Sequence, residues 1–216
     1  MKTTRRQFIA ASLLMPLPLW AEPLLGSENK AGDNLGGAIK PYTVIGNFAD
    51  DKSRVFMFIS YSCPYCKETW KGFLDWGLSL PNPFKFVFVP LSFGDASLEM
   101  ATRAFYVVRD VAPNKIEAFN QIAFEKAPTI QRWSEWDRIL QRHLGLSVTS
   151  ISGSLNKPIT HQRIHRARKL AQRYRVSSTP FFGIGGKYAT SADLTNGNYQ
   201  LLVQLLNALV SEMMSS

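Results

Sequence analysis

The most informative stretch of this sequence is Val55-Phe56-Met57-Phe58-Ile59-Ser60-Tyr61-Ser62-Cys63-Pro64-Tyr65-Cys66, an apolar run that leads directly into two cysteines. Residues 55–59 are apolar at every position, which predicts a strand in the middle of a sheet that is covered on both faces. After the cysteines, apolar residues recur at helical spacing at Trp70, Phe73, Leu74 and Leu78. The cysteines are therefore predicted to lie where a buried strand passes into a helix.

A second buried strand is predicted downstream of this helix. Pro81 and Pro83 end the helix, and residues 84–91 are rich in Phe and Val. A strand, a crossover helix and a second strand form a βαβ unit with parallel strands. Upstream of the cysteines, residues 42–45 are predicted to form a short first strand.

The apolar period changes to that of a helix between Asp95 and about Tyr174, where four helices are predicted. Their apolar positions are Ala101, Phe105 and Val108; Ile116, Phe119, Ile122 and Phe124; Trp133, Trp136, Ile139 and Leu140; and Ile164, Ala167, Leu170, Ala171 and Tyr174. The element order therefore predicts an α/β core formed by residues 42–92 and 174–214, with a helical domain, residues 93–173, inserted in the sheet.

The chain after this helical block is predicted to return to the sheet and to end in a helix. Residues 180–189 contain Gly185-Gly186, which indicates a two-residue hairpin turn. A final amphipathic helix has Leu201, Leu202, Leu205, Leu209 and Met213 on one face.

Residues 1–21 have the pattern of an export signal. A basic start precedes an apolar stretch, and Ala21 offers a small residue for cleavage; the basic residues are Lys2, Arg5 and Arg6. Residues 4–9 also resemble a twin-arginine signal, so that route and the general secretory route both remain open. An uncleaved membrane anchor is the alternative, although the apolar stretch is short and contains two prolines. Residues 22–41 are rich in glycine and are predicted to form a flexible linker.

The composition supplies enough apolar residues for a well-filled core, and the chain is basic. Of its 216 residues, 45% are apolar, and the formal net charge is +9. Two cysteines are too few for a disulfide-dense scaffold. A basic balance in an exported chain favours contact with anionic membrane surfaces or acidic polypeptides, and no nucleic-acid partner is expected. The densest basic cluster, Arg163, Arg166, Arg168, Lys169, Arg173 and Arg175, is interpreted as a solvated helix face or a docking patch.

The spacing of the two cysteines predicts redox chemistry. The start of a helix has a partial positive charge, so a thiolate on Cys63 is stabilised and its pKa falls. Cys63 is therefore the predicted nucleophile. Cys66 lies nearly one turn later on the same face, where it can close a disulfide with Cys63, and Pro64 suits the first helical position because it has no N–H to lose.

Two other interpretations of the cysteines are less favourable. As a structural bridge, a four-residue loop stabilises a fold by only roughly 2 kcal/mol on the chain-entropy model. As zinc ligands, Cys63 and Cys66 would need a second pair, and His161 and His165 have a suitable local spacing. However, those histidines lie far along the chain in an ordinary basic helix, so no metal site is predicted.

The Cys63-Pro64-Tyr65-Cys66 motif after a buried strand, the helical insertion and the Thr179-Pro180 dipeptide before the hairpin together resemble the DsbA family of exported thiol:disulfide oxidoreductases. The resemblance covers about residues 42–214 and implies a thioredoxin-like fold. It implies a redox-active disulfide between Cys63 and Cys66 with no other cofactor. It also implies a cis bond before Pro180, which would place Thr179 opposite the cysteines to bind extended substrates; the alternative is a proline that only opens an edge strand.

One departure from the family pattern concerns proton transfer. The family has an acidic residue in the strand before the motif, and Met57 occupies the corresponding position here. Water, Glu68 or Lys85 is the expected substitute.

The resemblance implies a periplasmic disulfide oxidase. Its expected partners are reduced or unfolded exported proteins, together with a membrane quinone-linked redox partner of the DsbB type. A disulfide isomerase or reductase of the same fold remains an alternative, as does a peptide-binding chaperone for assembly of an exported apparatus.

Overall fold

The computed structural model describes residues 40–215, and a five-stranded sheet lies at their centre. The predicted signal at residues 1–21, and the linker at residues 22–41 except for its last two residues, fall outside the described part of the chain. The strands are β1 Thr43–Val44, β2 Arg54–Ile59, β3 Lys85–Pro90, β4 Phe181–Ile184 and β5 Tyr188–Ser191. Their order across the sheet is β1-β5-β4-β2-β3.

The pairing of the strands confirms the predicted topology. Strands β2 and β3 are parallel, as expected for a βαβ unit, and every other pair is antiparallel. Strand β2 lies between β3 and β4 and its apolar residues are buried, so the continuous apolar run at residues 55–59 reflects a strand that is covered on both faces.

Seven α-helices surround the sheet within residues 40–215. They are α1 Pro64–Leu78, α2 Ala96–Val111, α3 Ile116–Lys126, α4 Trp133–Leu144, α5 Val148–Leu155, α6 Pro158–Arg173 and α7 Tyr199–Ser215. Five of them, α2 to α6, lie between β3 and β4, where the sequence predicts four; α5 is the helix that the prediction lacks. None of the seven is both long and apolar enough to span a bilayer.

Aromatic contacts show which helices cover each face of the sheet. Phe182 of β4 contacts Phe73 of α1, with ring centroids 4.7 Å apart. Phe58 of β2 faces the other way and lies 5.7 Å from the ring of Tyr174, the residue that follows α6. Helices α1 and α6 therefore pack on opposite faces of the sheet.

A close approach at Gly183 fixes the position of Tyr174 on the sheet. Gly183 lies opposite Phe56 in the β2–β4 pairing, and the Tyr174 ring packs directly on it. A Cβ atom at position 183 would come within 2.3 Å of that ring. Glycine is therefore required where the end of the helical insertion meets the sheet.

The helical insertion also packs against the chain segment that leads to the cysteines. Tyr61, two residues before Cys63, is buried, and its hydroxyl donates to Asn120 Oδ1 at 2.9 Å. Its ring contacts those of Phe119 and Phe124 in α3. The turn between β2 and α1 is thus held by the insertion on one side and by the sheet on the other.

Candidate active site

The turn from β2 into α1 places Cys63 at the start of a helix. Cys63 has an extended backbone (φ −82°, ψ 117°), and Pro64 is the first residue of α1. The Cys63 N–H donates to the Ser60 carbonyl oxygen at 3.0 Å, which closes the turn. Because β2 is a central strand, Cys63, which follows its carboxyl end, lies at the middle of that edge of the sheet.

The two cysteines differ sharply in exposure. Cys66 is fully buried, whereas Cys63 is half-buried, and both are free thiols in this structure. The backbone N–H of Cys66 donates to Cys63 Sγ at 3.3 Å. An incoming thiolate can therefore reach the Cys63 sulfur but not the Cys66 sulfur.

Hydrogen bonds lower the pKa of Cys63 to about 6. The Cys66 side chain makes the largest contribution, and the Thr179 side chain and the backbone N–H groups of Cys66 and Tyr65 add to it, while partial burial opposes the shift. Burial raises the pKa of Cys66, and its hydrogen bond to Cys63 raises it further. One thiol of the pair is thus ionised at neutral pH and the other is held protonated.

The sheet topology brings Thr179-Pro180 next to the cysteines. Strand β4 runs antiparallel to β2, and Phe181 pairs with Phe58, so the residues just before β4 lie beside the end of β2. The Cys63 thiol donates to the Thr179 carbonyl oxygen at 3.1 Å. The Thr179–Pro180 peptide bond is cis, and Pro180 is buried.

Two exposed aromatic side chains lie at the same edge of the sheet. Tyr65, within the motif, is 59% exposed, and Phe93, three residues after β3, is 60% exposed. Phe93 also lines a cavity of about 360 Å³ with Leu91 and Val176. The sequence gives no signal for Phe93, because the residue type alone does not show whether an aromatic side chain is exposed or buried.

The structure separates the two residues predicted to move protons. Glu68 lies on α1 and lines a cavity of about 310 Å³ between α1 and α7, together with Tyr199. Burial raises the pKa of Tyr199, and a hydrogen bond with Thr69 opposes this shift. The ionisable side chains of Cys66, Cys63 and Glu68 all interact with Tyr199 as well, which places Glu68 in the electrostatic surroundings of the cysteines.

Lys85 lies far from the cysteines. It is the first residue of β3 and pairs with Arg54, the first residue of β2, whereas the cysteines follow the last residue of β2. Because β2 and β3 are parallel, Lys85 lies at the opposite edge of the sheet, roughly 17–20 Å of strand away. Met57 is fully buried in the middle of β2, where it pairs with Phe88 and Phe182.

The histidines that resemble zinc ligands in the sequence do not join the cysteines. His161 and His165 lie on the exposed side of α6, which packs on the face of the sheet opposite α1. Within residues 40–215, no group of three or more His, Cys, Asp or Glu side chains is arranged to hold a metal ion.

Comparison with known proteins shows similarity to DsbA proteins of several bacteria. No known family profile matches the sequence. The chain is 23% identical over 166 residues to the thiol:disulfide interchange protein DsbA of Bordetella parapertussis, covering 74% of this chain and 76% of that protein. The DsbA of Bordetella pertussis is 22% identical over the same length.

Solved structures of DsbA proteins share the fold. A variant of Pseudomonas aeruginosa DsbA superimposes with a TM-score of 0.69 and 18% identity, covering 82% of this chain and 97% of that one. Xylella fastidiosa DsbA gives a TM-score of 0.65 at 20% identity, covering 82% and 96%. A Proteus DsbA variant with a non-covalently bound peptide gives 0.68 at 16% identity, covering 83% and 100%.

The sheet order, the helical insertion and these similarities agree with one another and confirm the fold class. The chain is DsbA-like, with a thioredoxin-like α/β fold and a helical domain inserted in its sheet.

Proposed function

We propose that this protein is an exported thiol:disulfide oxidoreductase that introduces disulfides into other exported proteins. The observation that carries the proposal is the contrast within the cysteine pair: Cys63 is reachable and its pKa is lowered to about 6, while Cys66 lies buried behind it. A structural cysteine pair needs neither exposure nor an ionised sulfur. The DsbA names of the relatives support the same chemistry.

The oxidised enzyme holds a disulfide between Cys63 and Cys66. A substrate thiolate attacks the Cys63 sulfur, the S–S bond breaks, and its electron pair goes to Cys66, which takes up a proton because burial raises its pKa. A second substrate thiolate then attacks the substrate sulfur of the mixed disulfide and releases Cys63. The substrate loses two electrons and two protons: both electrons go to the enzyme, one proton goes to Cys66 and the other to solvent, and reduced Cys63 remains a thiolate at neutral pH.

The direction of electron flow follows from the same pKa of about 6 for Cys63. A thiol of low pKa leaves easily, and an ionised Cys63 stabilises the reduced enzyme, which raises the reduction potential. The reduced enzyme then needs an oxidant, and a membrane quinone-linked protein of the DsbB type fits that role. The periplasm is the compartment that this chemistry requires.

Thr179 and Pro180 are proposed to hold the substrate. Their backbone lies against the Cys63 sulfur, so a peptide that binds there presents its own cysteine to Cys63. Tyr65 and Phe93 provide exposed apolar surface at the same edge, which suits unfolded clients with no fixed sequence.

Trapping of mixed disulfides tests the proposal. In cells that export the protein, the Cys63 thiolate of the Cys66→Ala variant attacks a client disulfide, displaces the second client sulfur as a thiolate and stays joined to the first, because Cys66 is not there to attack the mixed disulfide. We expect adducts with exported proteins that disappear on reduction, and none with Cys63→Ala, the matched control. Absence of adducts with Cys66→Ala, together with full complementation by a Cys63→Ser, Cys66→Ser double variant, would favour the peptide-binding chaperone instead.

Equilibration of the purified protein with glutathione measures its reduction potential and so tests the proposed direction of electron flow. An oxidase requires a potential above about −200 mV, whereas a value close to about −270 mV, as in thioredoxin, indicates a reductase.

A further inference from the structure

A third cavity lies on the α2 and α6 face of the sheet, away from α1. Its volume is about 270 Å³, and its walls come from β2, β3, α2 and α6. Four arginines from three separate elements line it: Arg54 of β2, Arg109 of α2, and Arg163 and Arg166 of α6. This arrangement of arginines differs from a solvated helix face, on which all the charged residues belong to one helix.

The positive charge of this cavity is largely uncompensated. Arg163 pairs with Asp110 at 3.4 Å, but Lys157 shares that carboxylate at 2.8 Å. In residues 40–215, Arg54, Arg109 and Arg166 have no carboxylate within 4.0 Å.

Arg109 and Arg54 are half-buried, whereas Arg166 is exposed. The Arg109 guanidinium lies 5.9 Å from the ring centroid of Tyr106. Burial, together with the neighbouring charges of Arg163, Arg54 and Arg166, lowers the pKa of Arg109. Like charges gathered around a cavity cost free energy, and a bound anion removes that cost.

We propose that this cavity binds a phosphate-type oxyanion with at least two negative charges. The planar guanidinium group matches the oxygens of phosphate bidentately, and three unpaired guanidinium groups from different elements line this one cavity. The cavity is at the small end of the range for ligand sites, which fits one or two phosphate groups. The site is independent of the proposed redox chemistry, since it lies on the other face of the sheet.

Two sources can supply this chemistry in an exported protein, a free phosphate ester and the headgroup of an anionic phospholipid. Part of the lining is apolar, from Phe56, Val89 and Leu170, and Ile159 at the rim is 42% exposed. A phosphate group attached to a hydrophobic body therefore fits as well as a free one.

Titration of the purified protein with inorganic diphosphate tests the site. We expect saturable binding in calorimetry and a rise in melting temperature that follows the same saturation curve. Arg109→Gln and Arg166→Gln should each weaken binding about tenfold or more, because each removes a charge-assisted hydrogen-bonding group. Arg132→Gln is the matched control: Arg132 is exposed, pairs with no carboxylate in residues 40–215 and lies outside the cavity, so binding should stay within about twofold.

Vesicles of phosphatidylcholine with and without phosphatidylglycerol distinguish the two sources. If a headgroup is the ligand, the protein cosediments with the anionic vesicles, and Arg166→Gln reduces this more than Arg132→Gln does. If only diphosphate shows the arginine-dependent binding, the ligand is a free ester. Failure of both probes to bind saturably overturns the proposal, as does equal weakening by all three substitutions. Arg166 is exposed, so its variant remains informative even if Arg109→Gln fails to fold.

Discussion

The proposed chemistry depends on the Cys63 sulfur. Groups other than the start of a helix also contribute to the environment of this sulfur. The helix start contributes the N–H groups of Cys66 and Tyr65, as the sequence predicts. However, the Cys66 side chain lowers the pKa of Cys63 most, and the side chain of Thr179, 116 residues away in the chain, lowers it further. Only the folded sheet brings that residue into contact, which is why the sequence alone does not reveal its electrostatic role.

The lowered pKa of Cys63 predicts how the stability of the reduced protein depends on pH. The folded pKa of about 6 lies below the ordinary value of 9.0, so the stabilisation is fully present above about pH 9 and is lost as the pH falls through 6. Between pH 5 and 8, the free energy of unfolding of the reduced wild type should therefore rise relative to that of Cys63→Ala.

Urea unfolding of both proteins under a reducing agent measures this difference. Cys66 is protonated in the folded and unfolded states over this range, so it adds no slope of its own. A difference between the two proteins that stays constant from pH 5 to 8 would contradict the assigned pKa.

At the scale of elements, the strands and most helices follow from the sequence, while α5 does not. Its sequence, Val-Thr-Ser-Ile-Ser-Gly-Ser-Leu, consists mainly of weak helix formers. The helix forms because Ser147 caps its start and Ile151 is buried among neighbouring helices. Tertiary packing thus overrides the low helix propensity of these residues. A prediction based only on the spacing of apolar residues misses a helix this short.

Strand polarity explains the separation of Lys85 from the site. The beginning of β3 lies at the edge of the sheet opposite the cysteines, because the crossover through α1 makes β2 and β3 parallel. Once the βαβ unit is recognised, the sequence alone predicts this separation. Glu68, in the second turn of α1, stays near the cysteines because it follows Cys66 by only two residues on the same helix.

The cap of α5 gives a prediction for this element. The Ser147 side chain accepts from the Ser150 N–H at 3.1 Å, so Ser147→Ala should reduce the free energy of unfolding by about 1 kcal/mol. Ser152→Ala in the same helix is the control: its hydroxyl makes only a weak bond to Thr149, and alanine favours helix, so stability should be unchanged or slightly higher. Equal destabilisation by both substitutions in chemical unfolding would argue against the cap.

On the scale of the whole molecule, the sheet separates two chemical regions. The cysteines, Thr179 and the exposed aromatic residues share one edge, and the arginine-lined cavity occupies the α2 and α6 face. The basic cluster of α6 is visible in the sequence, but Arg54 and Arg109 join it only through folding. The cysteine pair could be recognised from a contiguous motif, whereas the cavity could not.

An ion pair between a buried carboxylate and a partly exposed arginine joins the end of the helical insertion to the start of the core. Asp51, fully buried just before β2, accepts from Arg173 at the end of α6 at 2.9 Å and from the Tyr174 hydroxyl at 3.4 Å. Asp51→Ala should reduce the free energy of unfolding by about 2 kcal/mol, at the low end for a buried pair because Arg173 can turn towards water.

The melting temperature should accordingly fall by roughly 5 °C. Glu117→Ala, which breaks the exposed pair with Lys71, is the control and should leave the melting temperature nearly unchanged. If the two substitutions have the same small effect, the pair of Asp51 with Arg173 does not hold the insertion to the core.

The ionisation of Cys63 in the reduced protein is the measurement that tests the central claim most directly. Thiolate absorbance near 240 nm is followed against pH, with Cys63→Ala as the blank, and alkylated cysteines are then identified by mass spectrometry. We expect a single transition with a midpoint near pH 6 and alkylation of Cys63 but not of Cys66 at neutral pH. A midpoint near the ordinary value of 9.0, or alkylation of Cys66 in preference to Cys63, would contradict this expectation.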